Sequence, residues 1–133
     1  MFKKYYLFVL ILVCLSFSFC KQQTSITMYQ YTDQNNNIYT ISETGIKYNP
    51  ISPNESSSGV YSGGKKDSVV ISKEQFIEIS SLVNSLIQNT ENQISRREMM
   101  TSVLIKDSIK VILKPSKERI KFETKLLQFL IKD

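Results

Sequence analysis

Apolar and polar side chains alternate from Ile26 to Thr32, with Thr27, Tyr29 and Tyr31 on one side and Ile26, Met28 and Gln30 on the other. That is the period of a half-buried strand. The run Asp33-Gln34-Asn35-Asn36-Asn37 reads as a turn, because Asn and Asp bond to their own backbone and tolerate left-handed geometry. Two further short strands are expected at Ile38 to Ser42 and Ile46 to Tyr48, around Glu43-Thr44-Gly45, where glycine offers the positive φ of a tight bend.

From Asn49 to Asp67 the alternation stops. Pro50, Pro53, Ser56-Ser57-Ser58, Gly59, Gly63 and Gly64 make a long irregular stretch, broken only by Val60-Tyr61. A loop of this length is uncommon in a small domain unless it binds something or moves. Ser56, Ser57, Ser58, Gly59, Tyr61, Gly63, Gly64 and Lys65 are therefore the candidate binding loop.

Ser68 to Ile71 is a further short strand, and it leads into the clearest local signal in the chain. Ser72 and Gln75 have the spacing of a capping box, with Ile71 and Phe76 placed as the hydrophobic staple around it. Phe76, Ile79, Leu82, Val83, Leu86 and Ile87 then recur at helical spacing, and Asn89 to Asn92 should end the helix. Beyond a basic connector at Arg96-Arg97, the segments Thr101 to Lys106, Ser108 to Lys114 and Arg119 to Glu123 read as a meander with turns at Asp107-Ser108 and Pro115 to Glu118. Val103, Ile105, Ile109, Val111, Leu113, Ile120 and Phe122 are expected to face the helix, and Leu126 to Ile131 to close the chain as a short helix. The reading is a single α+β domain over 26–133: an antiparallel sheet of about six or seven short strands on one long amphipathic helix, with a short C-terminal helix.

The N-terminus is of a different kind. A cationic start, Lys3-Lys4, precedes the apolar run Tyr5 to Val13 and then Cys14-Leu15-Ser16-Phe17-Ser18-Phe19-Cys20. A positive end followed by a short hydrophobic core is the pattern of an export signal, and the run is shorter than the roughly 20 residues that span a bilayer as a helix. Leu15 to Cys20 resembles a bacterial lipoprotein signal, with Ser18 fitting and Phe19 bulkier than the small residue usual before the cysteine; the looser pattern is more like that of spirochaetes than of enterobacteria. The resemblance implies cleavage before Cys20, diacylglycerol on its thiol, residues 1–19 as signal peptide and 20–25 as tether. Cleavage after Ser18 remains the alternative, since Ser16 and Ser18 are both small. Lys21, lacking the acidic character of an inner-membrane retention signal, favours an outer membrane. The location implied is exported and lipid-anchored, on the periplasmic or outer-membrane and cell-surface side.

Composition narrows the chemistry. The chain has 133 residues, 41% hydrophobic and 22% charged, which suits one small folded domain. It contains no histidine, and so lacks the usual general base near neutral pH and the commonest nitrogen ligand for metals. Cys14 and Cys20 are the only cysteines, leaving the body after the signal without an internal disulfide. Residues 96–133 hold 10 basic and 5 acidic side chains, against 5 and 7 in 20–95. On alternating positions, Lys106, Lys110, Lys114, Arg119 and Lys121 would form one outward basic face of the sheet, suited to lipid phosphates or an acidic partner protein, or simply to solubility.

Other constellations point less far. Gly59 to Lys65 satisfies the first positions of a phosphate-binding loop, but Lys66 stands where Ser or Thr should hold magnesium, and a strand rather than a helix is expected to follow. A nucleophile among Ser56 to Ser58 would need Lys65 or Lys66 as base, in a hydrated setting that leaves lysine protonated. The run Ser58-Gly59-Val60-Tyr61 resembles the Ser-Gly-x-x-Tyr loop of bacterial periplasmic lysozyme inhibitors, one residue short and without their disulfide. Tyr29, Tyr31, Tyr39, Tyr48 and Tyr61 suit a half-buried sheet more than a contact surface. The functional expectation is a small cell-envelope lipoprotein with a non-enzymatic binding or structural role, needing neither cofactor nor metal. Its partners would be the membrane, through the lipid anchor, and an envelope protein or anionic surface; the compartment sets nucleic acid aside, and oligomeric state stays open. An inhibitor of another protein is the alternative, and a hydrolase built on Glu43, Glu55 and Asp67 a more distant one.

Overall fold

The computed structural model describes residues 27–131; the signal segment, Cys20 and the tether lie outside them. Seven strands form one antiparallel sheet: β1 (Met28–Thr32), β2 (Ile38–Ser42), β3 (Gly45–Asn49), β4 (Asp67–Val70), β5 (Gln93–Ile94), β6 (Ser102–Lys106) and β7 (Ile109–Leu113). Their order across the sheet is β4-β3-β2-β1-β6-β7-β5, and the helices α1 (Lys73–Gln88) and α2 (Lys117–Leu130) carry the remaining regular structure apart from a single turn at Thr90–Asn92. The fold is α+β.

Alternation along the strands sorts their residues between the faces. Tyr29 and Tyr31 of β1 pair with Ile41 and Tyr39 of β2, which pair in turn with Ile46 and Tyr48 of β3, so these six share the face against the helices. Tyr29 stacks on Phe76 of α1 with ring centroids 5.6 Å apart, and Tyr31 meets Phe122 of α2 edge-on at 5.0 Å. Each central aromatic of β1 thus holds one helix, and the core closes with Ile79, Val83 and Leu86 from α1, Leu126 from α2, and Leu104 and Leu113 from the sheet.

The start of α1 follows from its sequence. Gln75 N donates to Ser72 Oγ at 3.2 Å, while Ser72 N donates to Gln75 Oε1 at 2.8 Å, so both halves of the capping box form. Ile71 and Phe76 are both buried in the core.

Three expectations are corrected. The segment Arg119 to Glu123 is not a strand but part of α2, which also absorbs the expected short helix at Leu126 to Ile131. Ser116 caps it by accepting from Arg119 N at 3.2 Å, and Phe122 and Leu126 then recur four residues apart on the buried side. Five residues with alternating hydrophobicity did not reveal that longer period.

The second correction concerns the hairpin of β6 and β7. Asp107 takes a φ of 53°, and its two-residue turn pairs Lys106 with Ile109, Ile105 with Lys110 and Val103 with Ile112. Paired residues share a face, so Ile105 and Ile109 cannot both face the helices. Ser102, Leu104 and Lys106 face them, together with Ile109, Val111 and Leu113; Val103 and Ile105 lie on the opposite face, where Val103 is nevertheless buried.

Third, Gly45 adopts no positive φ. A side chain is excluded there instead by the neighbouring strand, since a β-carbon on Gly45 would lie 2.7 Å from Val69 O.

Candidate binding surface at the loop end of the sheet

Antiparallel pairing gathers the long connections at one end. Thr32 lies opposite Ile38, Ile38 opposite Asn49, Tyr48 opposite Asp67, and Thr32 also opposite Val103. The turn 33–37, the loop 49–67 and the connector 95–101 therefore emerge side by side.

Asn37 joins the first two. Asp33 begins the turn, with Oδ1 accepting from Asn35 N at 2.8 Å and Asn37 N at 2.9 Å, and Asn36 adopts a φ of 71°. Asn37 is thereby turned inward and is 3% exposed. Its amide nitrogen donates to Asp33 Oδ2 at 2.8 Å and to Tyr61 Oη at 3.1 Å, and its Oδ1 accepts from Ile51 N at 3.1 Å. One buried amide thus ties the turn to both ends of the long loop.

Gly63 completes the fastening. Its N–H donates to Ile51 O at 3.1 Å, and its carbonyl accepts from Tyr48 Oη at 2.7 Å. The raised pKa of Tyr48, caused first by burial and then by the nearby Tyr61 and Asp33, keeps that hydroxyl a donor. Beyond these anchors the loop folds on itself. Glu55 Oε2 accepts from Ser52 N and Oγ at 3.0 and 2.6 Å, which holds its carboxyl below the usual range. Ser58 Oγ accepts from Tyr61 N at 3.2 Å.

The candidate loop residues divide accordingly. Ser57, Ser58, Gly59, Gly64 and Lys65 face solvent, Val60 projects with 81% of its surface free, and Tyr61 is 37% exposed, whereas Ser56 and Gly63 are half-buried fasteners. Ser56 Oγ donates to Pro53 O at 3.0 Å as part of a turn. Asp67–Val70 follows as a strand, so Gly59 to Lys65 has no helix N-terminus to present to a phosphate.

The connector is braced from two sides. Arg97 Nη2 donates to Asp33 O at 3.0 Å, and Arg119 Nη1 to Met100 O at 2.6 Å and Leu113 O at 3.4 Å. Met99 and Met100 remain 91% and 59% exposed, with Met100 at a φ of 63°. Val60 and Tyr61 on the long loop, and the two methionines on the connector, thus present apolar side chains from loops held by hydrogen bonds.

The expected basic face does not form. Arg119 is 4% exposed in α2, with Nε 3.4 Å from Glu123 Oε1, and Tyr31 Oη donates to the same Glu123 oxygen. Burial, reinforced by Glu123, raises the Tyr31 pKa, so the phenol stays protonated. Lys106 lies on the helix side, its Nζ donating to Asn84 Oδ1 at 2.7 Å; Lys110 is on the opposite sheet face, Lys114 follows β7, and Lys121 is exposed on α2. The helix takes Arg119 and Lys121 out of the sheet, and the two-residue turn at Asp107-Ser108 puts Lys106 and Lys110 on opposite faces of it.

Glu43 lies at the β2–β3 turn, at the far end of the sheet from Glu55 and Asp67, so these carboxylates share no pocket. Among the described residues no group of three or more His, Cys, Asp or Glu could hold a metal, and no helix is long and apolar enough to cross a membrane. Sequence reasoning missed Asn37 as an organising residue and Arg119 as a buried one; the signals were the Asp33-x-x-x-Asn37 spacing and the Ser116-x-x-Arg119 cap. Comparison of the chain with family models, curated proteins and solved structures gives no match.

Proposed function

We propose that the chain is a small lipid-anchored protein of a bacterial cell envelope which acts by binding, without catalysis, through the loop surface 52–66 and the adjoining connector. The observation that carries the binding role is the fastening of the loop by Asn37, which is 3% exposed and bonds to Asp33, Ile51 and Tyr61. A loop already ordered loses little freedom when a partner docks, so Val60 and Tyr61 can contribute most of their contact energy to affinity. The anchor rests on Cys20, which ends an export-type segment and precedes a body free of cysteine. The partner is an envelope protein or an anionic surface.

Inhibition of another protein is a second reading, favoured by the projection of Val60 at 81% exposure from a fastened loop. Mass spectrometry of the mature N-terminus tests the anchor: an acylated Cys20 in wild type and an unmodified chain in Cys20→Ser are expected, and an intact Met1 or a retained Phe19 would overturn it. Capture from envelope extract by the soluble body tests the binding role. A retained protein lost with Val60→Asp is the expected result; no retention, or retention indifferent to the loop, would overturn it.

A further inference from the structure

The end of the sheet opposite the loops has its own membership. Met28 pairs with Ser42, Gly45 with Val70, Tyr29 with Lys106, and Lys106 with Ile109. The start of β1, the Glu43-Thr44 turn, the end of β4 and the Asp107-Ser108 turn therefore lie together. They are about 15 Å from the loop surface, the length of a five-residue strand. The chain toward Cys20 leaves from this end, and seven residue steps separate Cys20 from Thr27. Even fully extended, that tether reaches only about 25 Å.

On the sheet face away from the helices Val103 is buried at the loop end, whereas the tether-side part is open among the described residues and carries apolar side chains. Met28 and Val70 are 50% and 78% exposed there and line a groove of about 360 Å³ with Thr40, Ser42, Gly45 and Lys47. Ile109, on the helix side of the same end, is 47% exposed. Lys47 and Lys110 present ammonium groups on the same face, Lys106 is already engaged with Asn84, and Glu43 and Asp107 occupy the turns. These charges nearly cancel, so the surface suits the level where headgroups meet acyl chains more than purely electrostatic adsorption.

We infer that this end of the sheet rests on the bilayer, with Met28 and Val70 against the headgroup region and the loop surface turned away from the membrane. The inference rests on lipid anchoring at Cys20: the acyl chains supply attachment, and the short tether with this apolar end supplies orientation. The surface is too small to hold a protein on lipid by itself, since about two partly inserted side chains give only a few kcal/mol.

Because the body after Cys20 contains no cysteine, an introduced one is a unique label once Cys20 is acylated. Full-length Val70→Cys and Val60→Cys chains, processed in a bacterial host, would be reconstituted into vesicles of phosphatidylcholine and phosphatidylglycerol and tagged with a nitroxide. The Val70 label should collide several-fold more often with a nickel chelate carried on lipid headgroups than the Val60 label does, and Met28→Cys should behave like Val70→Cys. Equal collision rates, or a higher rate at Val60, in protein that floats with the vesicles would overturn the orientation and leave the anchor standing. Wild-type protein that fails to float, with its Cys20 thiol open to the tag, would remove the anchor and the orientation together.

Discussion

Gly63 and Asn37 approach so closely that a β-carbon on Gly63 would lie 2.0 Å from Asn37 Oδ1. The long loop depends on this contact, because the same amide oxygen accepts from Ile51 N. Gly63→Ala should force the loop away from the turn and cost about 1–3 kcal/mol. The midpoint of urea unfolding by circular dichroism measures this; an unchanged midpoint would show that the loop yields freely.

Asn37→Ala removes the bonds to Tyr61 and Ile51 at once and leaves the half-buried Ile51 N–H without its acceptor. A loss of about 1–3 kcal/mol follows, and limited proteolysis should cut within 52–66 faster than in wild type. Asn37→Asp should be worse, since it sets a second carboxylate within 2.8 Å of Asp33 Oδ2.

Arg119 is inside the protein and Lys121, two residues on, is outside. Arg119→Ala would take the side-chain donor from the Met100 carbonyl and leave Glu123 without its cation, so about 3 kcal/mol or more should be lost. Lys121→Ala should stay within about 0.5 kcal/mol of wild type. Equal effects in thermal unfolding would mean that the buried arginine does not brace the connector.

Burial, with Glu123 beside it, raises the pKa of Tyr31 above the ordinary value of 10.0, and burial does the same for Tyr39. Above pH 10 the unfolded phenol releases a proton that the folded phenol keeps, so the folded state binds more protons. Stability is then full below that pH and falls as pH rises beyond it. Each such tyrosine contributes a slope of up to about 1.4 kcal/mol per pH unit. Tyr31→Phe should flatten the alkaline decline by that amount, measured as unfolding free energy against pH; an unaltered slope would place the loss elsewhere.

Val60→Asp changes an exposed tip without touching the fasteners, so the unfolding midpoint should stay put. Affinity for a captured partner should fall at least about tenfold, since a charge would replace an apolar contact at the interface. Titration calorimetry or biolayer measurements with the captured protein would detect it.

The local signals were readable because they depend on residues close in sequence. Ser72 and Gln75 announced α1, alternation placed Tyr29 and Tyr31 on one face of β1, and the turn 33–37 was evident from its Asn and Asp content. The candidate loop was likewise visible as a stretch with no period. What failed were short segments open to two periods: Arg119 to Glu123 fits a strand as well as a helix turn, and only Leu126 beyond it, packing with Phe122, decides for the helix.

Residues near one another in the chain were enough to show an α+β protein, a helix starting just after its Ser72 cap and a long irregular loop between two strands, since capping, alternation and turn chemistry act within a few residues. Only closure of the whole fold settled that Lys106 faces the helices while Ile105 faces away, that Arg119 is buried, and that Asn37 holds the loop. Each of these depends on a strand register or on a contact between residues distant in the chain: Tyr61 lies 24 positions from Asn37, and Met100 lies 19 from Arg119. No local pattern encodes such a distance, because the energy that selects it arises only when the sheet and both helices have closed on one another.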